Sequence, residues 1–370
     1  MKRLIMCSLL ASAIICSCTP SKTSDSKTYF LDTSAQQDYN LFDVVESVDM
    51  LFLNETDEVM VGKVCDVKYA ANRWYLLDID EGRSVVSTFD DKGNPLNIIN
   101  RMGRGPKEYL ELAGFDVCPK TGDLYLCCYP PKVMVFDKDL NFKSEIAFEN
   151  PYFSVAKCDD GLMLYGFTSR DSVGVDYVKF DGSDKPMVKP IKRWLRDSNV
   201  AEVMGENSFM RTRKNIYFHT RHCDSLYRID GASLSLVAAI DYPNREAIKE
   251  YRENHSIYDL PMAERGQYSL PRVISVMERG DERWLQYSKV LFGFIVDSPE
   301  GVKNCDAKSL AGTSVCCDGR LVDVMESFRY NPETFDPQGW LQGVKVNHVE
   351  LTDKQRESGN KILLVYNLRD

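Results

Sequence analysis

Gly62-Lys63-Val64-Cys65-Asp66-Val67-Lys68-Tyr69-Ala70-Ala71-Asn72-Arg73-Trp74-Tyr75-Leu76-Leu77-Asp78 opens a unit that continues through Ser84-Val85-Val86-Ser87-Thr88-Phe89, Asp91-Lys92-Gly93-Asn94 and residues 95–100. Short apolar runs between turn residues read as four antiparallel strands, a to d, with Gly93 where a hairpin needs a positive φ. The order then repeats, with strand a over residues 114–118, b over 123–128, c over 133–136 and d over 142–148. A repeat of roughly 40–45 residues carrying four strands is one propeller blade. Between the two copies lies Arg101-Met102-Gly103-Arg104-Gly105-Pro106-Lys107-Glu108-Tyr109, a glycine-rich corner.

Working outward, the same pattern predicts blade three over 153–157, 161–167, 175–180 and 186–191. Blade four follows over 207–211, 215–219, 225–229 and 234–240. Blade five takes 271–277, 282–286, 290–297 and a weak strand near Val302. The sixth set has only 313–316, 320–326 and 361–368, while residues 43–53 are left over at the other end. That N-terminal strand can join the C-terminal blade and close the ring, leaving no free sheet edge. The expected fold class is therefore all-β, a six-bladed β-propeller occupying residues 40–370 as one domain.

The composition fits a folded domain: 370 residues, 44% hydrophobic and 27% charged. A formal charge of −9 argues against nucleic acid as a partner, which needs a basic face. Met1-Lys2-Arg3 and the apolar residues 4–15 form a signal segment too short to span a membrane. It ends in Ile15-Cys16-Ser17-Cys18, which resembles a bacterial lipobox. The resemblance implies a signal peptide over 1–17, a lipid on Cys18 and a flexible tether over 18–39. Membrane attachment would come through that lipid. Nine further cysteines show no C-x-x-C spacing and sit mostly in strand runs, so they read as small buried hydrophobes; an isolated disulfide stays open.

The blade-one pattern, with Gly103-Arg104-Gly105-Pro106-Lys107-Glu108-Tyr109 after it, resembles the six-bladed β-propeller lipoproteins of gut Bacteroidetes, akin in shape to NHL-repeat and TolB-like propellers. Lys107 departs from that family's corner, which carries a glycine there. The resemblance implies the fold and an outer-membrane lipoprotein of the cell envelope, on the periplasmic or the surface side. It brings no catalytic residues and no cofactor.

In such a blade the a–b and c–d turns lie on one face of the disc, and the b–c and d–a connections on the other. The long insertions, residues 192–206, 241–270 and 327–360, are all of the second kind. They predict one elaborated face, since loops of that length are usually functional. Residues 244–251 and 352–357 read as helices within them, the second capped by Thr352. The corner cations Arg101, Arg104 and Lys107, with Tyr109, could hold an anion; the competing reading is a joint between blades. Tyr129 and Lys132 flank Pro130-Pro131 in a b–c loop on the same face and suit sugar or protein contact. Arg221 and His222 are binding candidates there too. His219-x-x-His222 would point to opposite faces of a strand, so no metal site is expected. The expectation is a non-catalytic protein that binds a glycan, peptide or envelope protein on the elaborated face. The alternative is a glycan lyase or hydrolase with its site at the channel mouth.

Overall fold

The computed structural model describes residues 27–32, 34, 41–80, 82–179, 186–200, 205–289, 292–306, 315–317, 319–336 and 339–369. The signal segment and Cys18 lie outside them. Six antiparallel sheets form a ring, each running from an inner strand a to an outer strand d. Blade one is Val64–Ala70, Arg73–Asp80, Arg83–Asp90 and Pro95–Ile99. Blade two is Glu111–Val117, Leu124–Tyr129, Lys132–Phe136 and Phe142–Ala147. Blades three, four and five begin with Tyr152–Lys157, Phe209–Arg211 and Arg272–Arg279. Strand b of blade one is buried along most of its length, because both its faces meet a neighbouring blade. Strand d of blade two, on the rim, is mostly exposed.

The core is divided by the gaps between blades. Among the described residues six apolar clusters occur, one for each pair of neighbours. The blade-six/blade-one cluster joins Val67, Trp74 and Phe89 to Val322, Leu363 and Val365. In blades one, two, three and five the pairing of strand a with strand b slips by one residue near the start of strand a. One bulge recurring at equivalent places turns these four inner strands as they meet the channel. At Gly114 the approach is so close that a Cβ would lie 2.4 Å from the Phe153 carbonyl oxygen of blade three.

Closure follows the expected scheme. Blade six orders Val315–Cys317, Arg320–Glu326 and Lys361–Leu368, and its fourth strand is β2, Val45–Phe52. A short strand, Lys345–Asn347, then pairs parallel with β2 on the outside. The third insertion thus leaves from the expected face but wraps the rim of blade six, where Trp340 stacks on Phe42 at 6.1 Å.

The N-terminal tether departs from expectation. Within it β1, Lys27–Phe30, runs parallel to strand d of blade four, Leu234–Asp241. Tyr29 and Leu31 are fully buried there. The Tyr29 hydroxyl donates to Asp297 Oδ2 of blade five at 2.7 Å. A short apolar run inside a polar stretch is too weak a periodic signal to read alone; its partner strand lies some 200 residues away in sequence.

Candidate functional site

The corner is a closed turn. Gly103 N donates to Tyr109 O at 2.8 Å, Tyr109 N to Arg101 O at 2.9 Å, and Gly105 N to Glu108 Oε2 at 2.6 Å. Lys107 holds φ +61°, the left-handed conformation for which a glycine is suited. Tyr109 is fully buried, and its hydroxyl donates to Ser84 O at 2.8 Å. Arg101 lies over the Phe136 ring and Lys107 over the Phe142 ring of blade two, at 5.6 and 4.8 Å. Arg104 is exposed. These contacts join two blades, and the described cavities do not include the four residues. Tyr129 is exposed, whereas the Lys132 ammonium pairs with Glu145 at 2.9 Å.

On the insertion face, segments meet one another. Helix α1, Arg245–Asn254, packs there, followed by the single turn α2, Met262–Arg265. The third insertion adds α3, Asp353–Glu357, with a full capping box from Thr352 and Gln355. Arg252 of α1 pairs with Asp197 at 2.7 Å, and Asn199 Nδ2 donates to the carbonyls of Arg252 and His255 at 3.0 and 3.1 Å. His222 Nδ1 accepts from Asp197 N at 3.1 Å, so it helps tie the first insertion to blade four. His219 is separate: its ring is buried against the Ser225 carbonyl, and burial pushes its pKa down to about 4. The described cavity on this face holds about 200 Å³.

The end of the first insertion crosses the channel. Gly205 N donates to Ala113 O of blade two at 2.8 Å, and Ser154 Oγ of blade three donates to Glu206 O at 3.3 Å. Asn207 Nδ2 reaches Asp66 Oδ2 of blade one at 3.4 Å. The Glu206 carboxylate is held between Arg221 at 3.1 Å and Arg272 at 3.0 Å. Arg221, a binding candidate in the sequence, therefore acts as half of a clamp on this plug.

Below the plug, charged side chains line the inner strands. Lys68 pairs with Asp66 at 3.0 Å. Burial alone would push the Lys68 ammonium down, but the carboxylates of Asp66 and Asp116 outweigh it and raise it, so Lys68 stays cationic. Asp116 Oδ2 accepts from Arg211 Nη2 at 2.6 Å and from Lys157 N at 2.7 Å. The channel then opens on the turn face into a cavity of about 860 Å³. Its wall comes from the a–b turns of blades two, three and four, with Lys120, Asp123, Asp159, Asp160 and Lys214 among the polar groups and Tyr69, Tyr125 and Tyr177 among the rings. Cys118 and Cys158 also line it, and burial raises the Cys158 thiol to about 11. Among the eight cysteines whose side chains are described none is bridged, and five are buried.

Of the cup residues, Asp159-Asp160 reads in the sequence as a turn acid pair of the kind glycoside chemistry uses but any propeller carries; the others were missed because tight turns look uninformative. The available signal was charge on otherwise apolar inner strands: Asp66, Lys68 and Asp116. Among the described residues no three His, Cys, Asp or Glu side chains gather into a metal-binding group.

Fold and site together define a six-bladed propeller whose channel is plugged on one face and cupped on the other. The chain belongs to the family described as "Domain of unknown function (DUF4934)", whose model matches residues 29–339. That match takes in the second half of β1, Tyr29 and Phe30. No curated protein matches the sequence. Among solved structures, a "putative exported protein" from Bacteroides fragilis is similar at 17% identity and TM-score 0.63, over 93% of this chain and 100% of that one. A member of the "duf4221 family" from Bacteroides vulgatus is 12% identical, with TM-score 0.49, over 88% and 98%. The extracellular domain of a "putative one component system" from B. thetaiotaomicron is 14% identical, with TM-score 0.38, over 72% and 32%. These likenesses concern the fold.

Proposed function

We propose that this chain is an exported, envelope-anchored binding protein, without catalysis of its own, that takes a polar ligand into the turn-face cup. The observation carrying the reading is the asymmetry of the channel. Glu206 and its two arginines block one end, while about 860 Å³ stays open at the other. This moves the expected ligand site from the insertion face, whose segments pack on each other, to the opposite face. Tyr125 and Tyr177 are largely buried, so the cup offers ring edges and charged groups instead of broad apolar area. A hydroxyl-rich glycan suits that mixture of carboxylate acceptors and ammonium donors better than an apolar ligand does.

Export is supported by the signal segment and by a likeness to a B. fragilis protein whose name calls it exported. The lipid on Cys18 and an outer-membrane location belong to this reading. A glycan array probed with the propeller tests the ligand. Asp160→Ala and Lys214→Ala, both at exposed turn positions, are expected to weaken binding about tenfold each, the worth of one to two polar contacts. Glycan binding unchanged in both variants would place the site elsewhere; capture of peptides only would change the ligand class. Membrane fractionation of Cys18→Ala tests the anchor, with loss from the membrane fraction expected.

A further inference from the structure

We infer that β1 sets the orientation of the propeller at the membrane: the turn face, with its cup, is held toward the lipid surface, and the insertion face points away. This rests on the lipid anchor at Cys18 proposed above. Strand d of blade four runs from its c–d turn on the turn face to its d–a connection on the insertion face. Because β1 pairs with it in parallel, Lys27 opposite Ala238 and Phe30 opposite Asp241, the chain enters β1 heading away from the turn face. The entry point is fixed. Lys27 Nζ lies 2.5 Å from Asp297 Oδ1, near the turn-face end of blade five, and the Tyr29 hydroxyl holds the other oxygen of that carboxylate. Arg283 Nη1 completes the site, 3.2 Å from Asp297 Oδ2.

Chain length then decides between the faces. Nine residue steps separate Cys18 from Lys27, a reach of about 30 Å at full extension. From Ala238 to the turn-face end of the strand at Leu234 is four steps, about 13 Å, along the line on which the chain enters. A lipid beyond the turn face is therefore within reach with slack left over. A lipid beyond the insertion face requires a reversal just before Lys27. The chain must then pass back about 10 Å beside β1 and clear insertions that include the ten-residue helix α1, about 15 Å long. That route uses nearly the whole reach. With the turn face inward, the cup takes its ligand from the layer next to the membrane, and the insertion face is presented to the surrounding space.

The test reads the distance from each face to the bilayer. A fluorophore is placed on the turn face through Asp281→Cys or on α1 through Glu253→Cys, with the chain lacking either change as the labelling background. The chain from Cys18 onward is joined at its N-terminal cysteine to a thioester lipid and loaded on phosphatidylethanolamine/phosphatidylglycerol vesicles with a headgroup acceptor. The expected result is stronger energy transfer from position 281 than from 253. Equal or reversed transfer overturns the orientation. Because the lipid is supplied chemically, this outcome does not depend on what the cell attaches, and fractionation of Cys18→Ala reports on the anchor separately. A second variant, Tyr29→Ala, should release β1 and narrow the difference between the labels while circular dichroism shows the propeller intact. An undiminished difference in that variant would show that β1 does not set the orientation.

Discussion

Glu206 is the side chain on which the closed end of the channel depends, and its surroundings fix the sign of its effect. It is partly buried between two guanidinium groups. Replacing it by alanine removes the carboxylate that both Arg221 and Arg272 pair with. The expected cost is about 1–3 kcal/mol, between the values for exposed and buried pairs, measured by urea unfolding. His219 gives a pH dependence. Its folded pKa, about 4, lies below the ordinary 6.5. Between those values the unfolded chain binds a proton that the folded chain refuses, so stability falls as pH drops through the window and levels off below it. From pH 7 to pH 5 the loss from this ring is about 2 kcal/mol, and urea titrations of His219→Gln should show a pH gap narrower by that amount. At the corner, a Cβ on Gly103 would lie 2.0 Å from Glu108 Oε2. Gly103→Ala should displace that carboxylate from Gly105 N and cost about 1–3 kcal/mol. Lys107→Gly trades relief of a left-handed backbone, about 1 kcal/mol, against a ring contact of about 0.5–1 kcal/mol, so thermal melts should show little change.

At the scale of elements, β1 and the capped helix α3 show what local sequence can and cannot carry. Thr352 and Gln355 stand at the spacing of a capping box, and the structure forms both of its hydrogen bonds. The four-strand rhythm of blades one and two was legible for the same reason: turn residues and alternating polarity act within a few residues. β1 had no such signature. Its fourth residue pairs with Asp241, and its tyrosine is satisfied by Asp297, so its stability comes entirely from residues distant in sequence. Tyr29→Ala removes a fully buried ring, a change of about 3–5 kcal/mol where no relaxation occurs. Detachment of β1 should cap the loss below that. Hydrogen exchange should then accelerate at residues 28–30 and along the outer edge of Leu234–Asp241, while blades one to three stay protected.

Across the whole molecule, the two N-terminal strands have different roles. β2 completes blade six and closes the ring, whereas β1 adds a fifth strand to a blade that already has four. Deleting residues 27–32 should lower the melting temperature but keep one cooperative transition in calorimetry. Deleting through residue 52 should abolish that transition, because blade six would present an open edge and the blade-five/blade-six cluster would lose Val45, Val48, Met50 and Phe52.

Strand period, turn chemistry and the surplus N-terminal strand were written in the sequence, and they determined six blades, the closure of the ring and the face from which the insertions leave. Those features rest on short-range geometry: period-two alternation, positive φ at turns, and the count of strands per repeat. Which end of the channel is open was decided only by tertiary structure. Residues 205–208 close it through contacts with four different blades, and the cup forms where turns from three blades happen to converge. Contacts between residues 52 to 268 positions apart leave no local period to read, so a plug, a cup and a docked strand became visible only once the chain was folded.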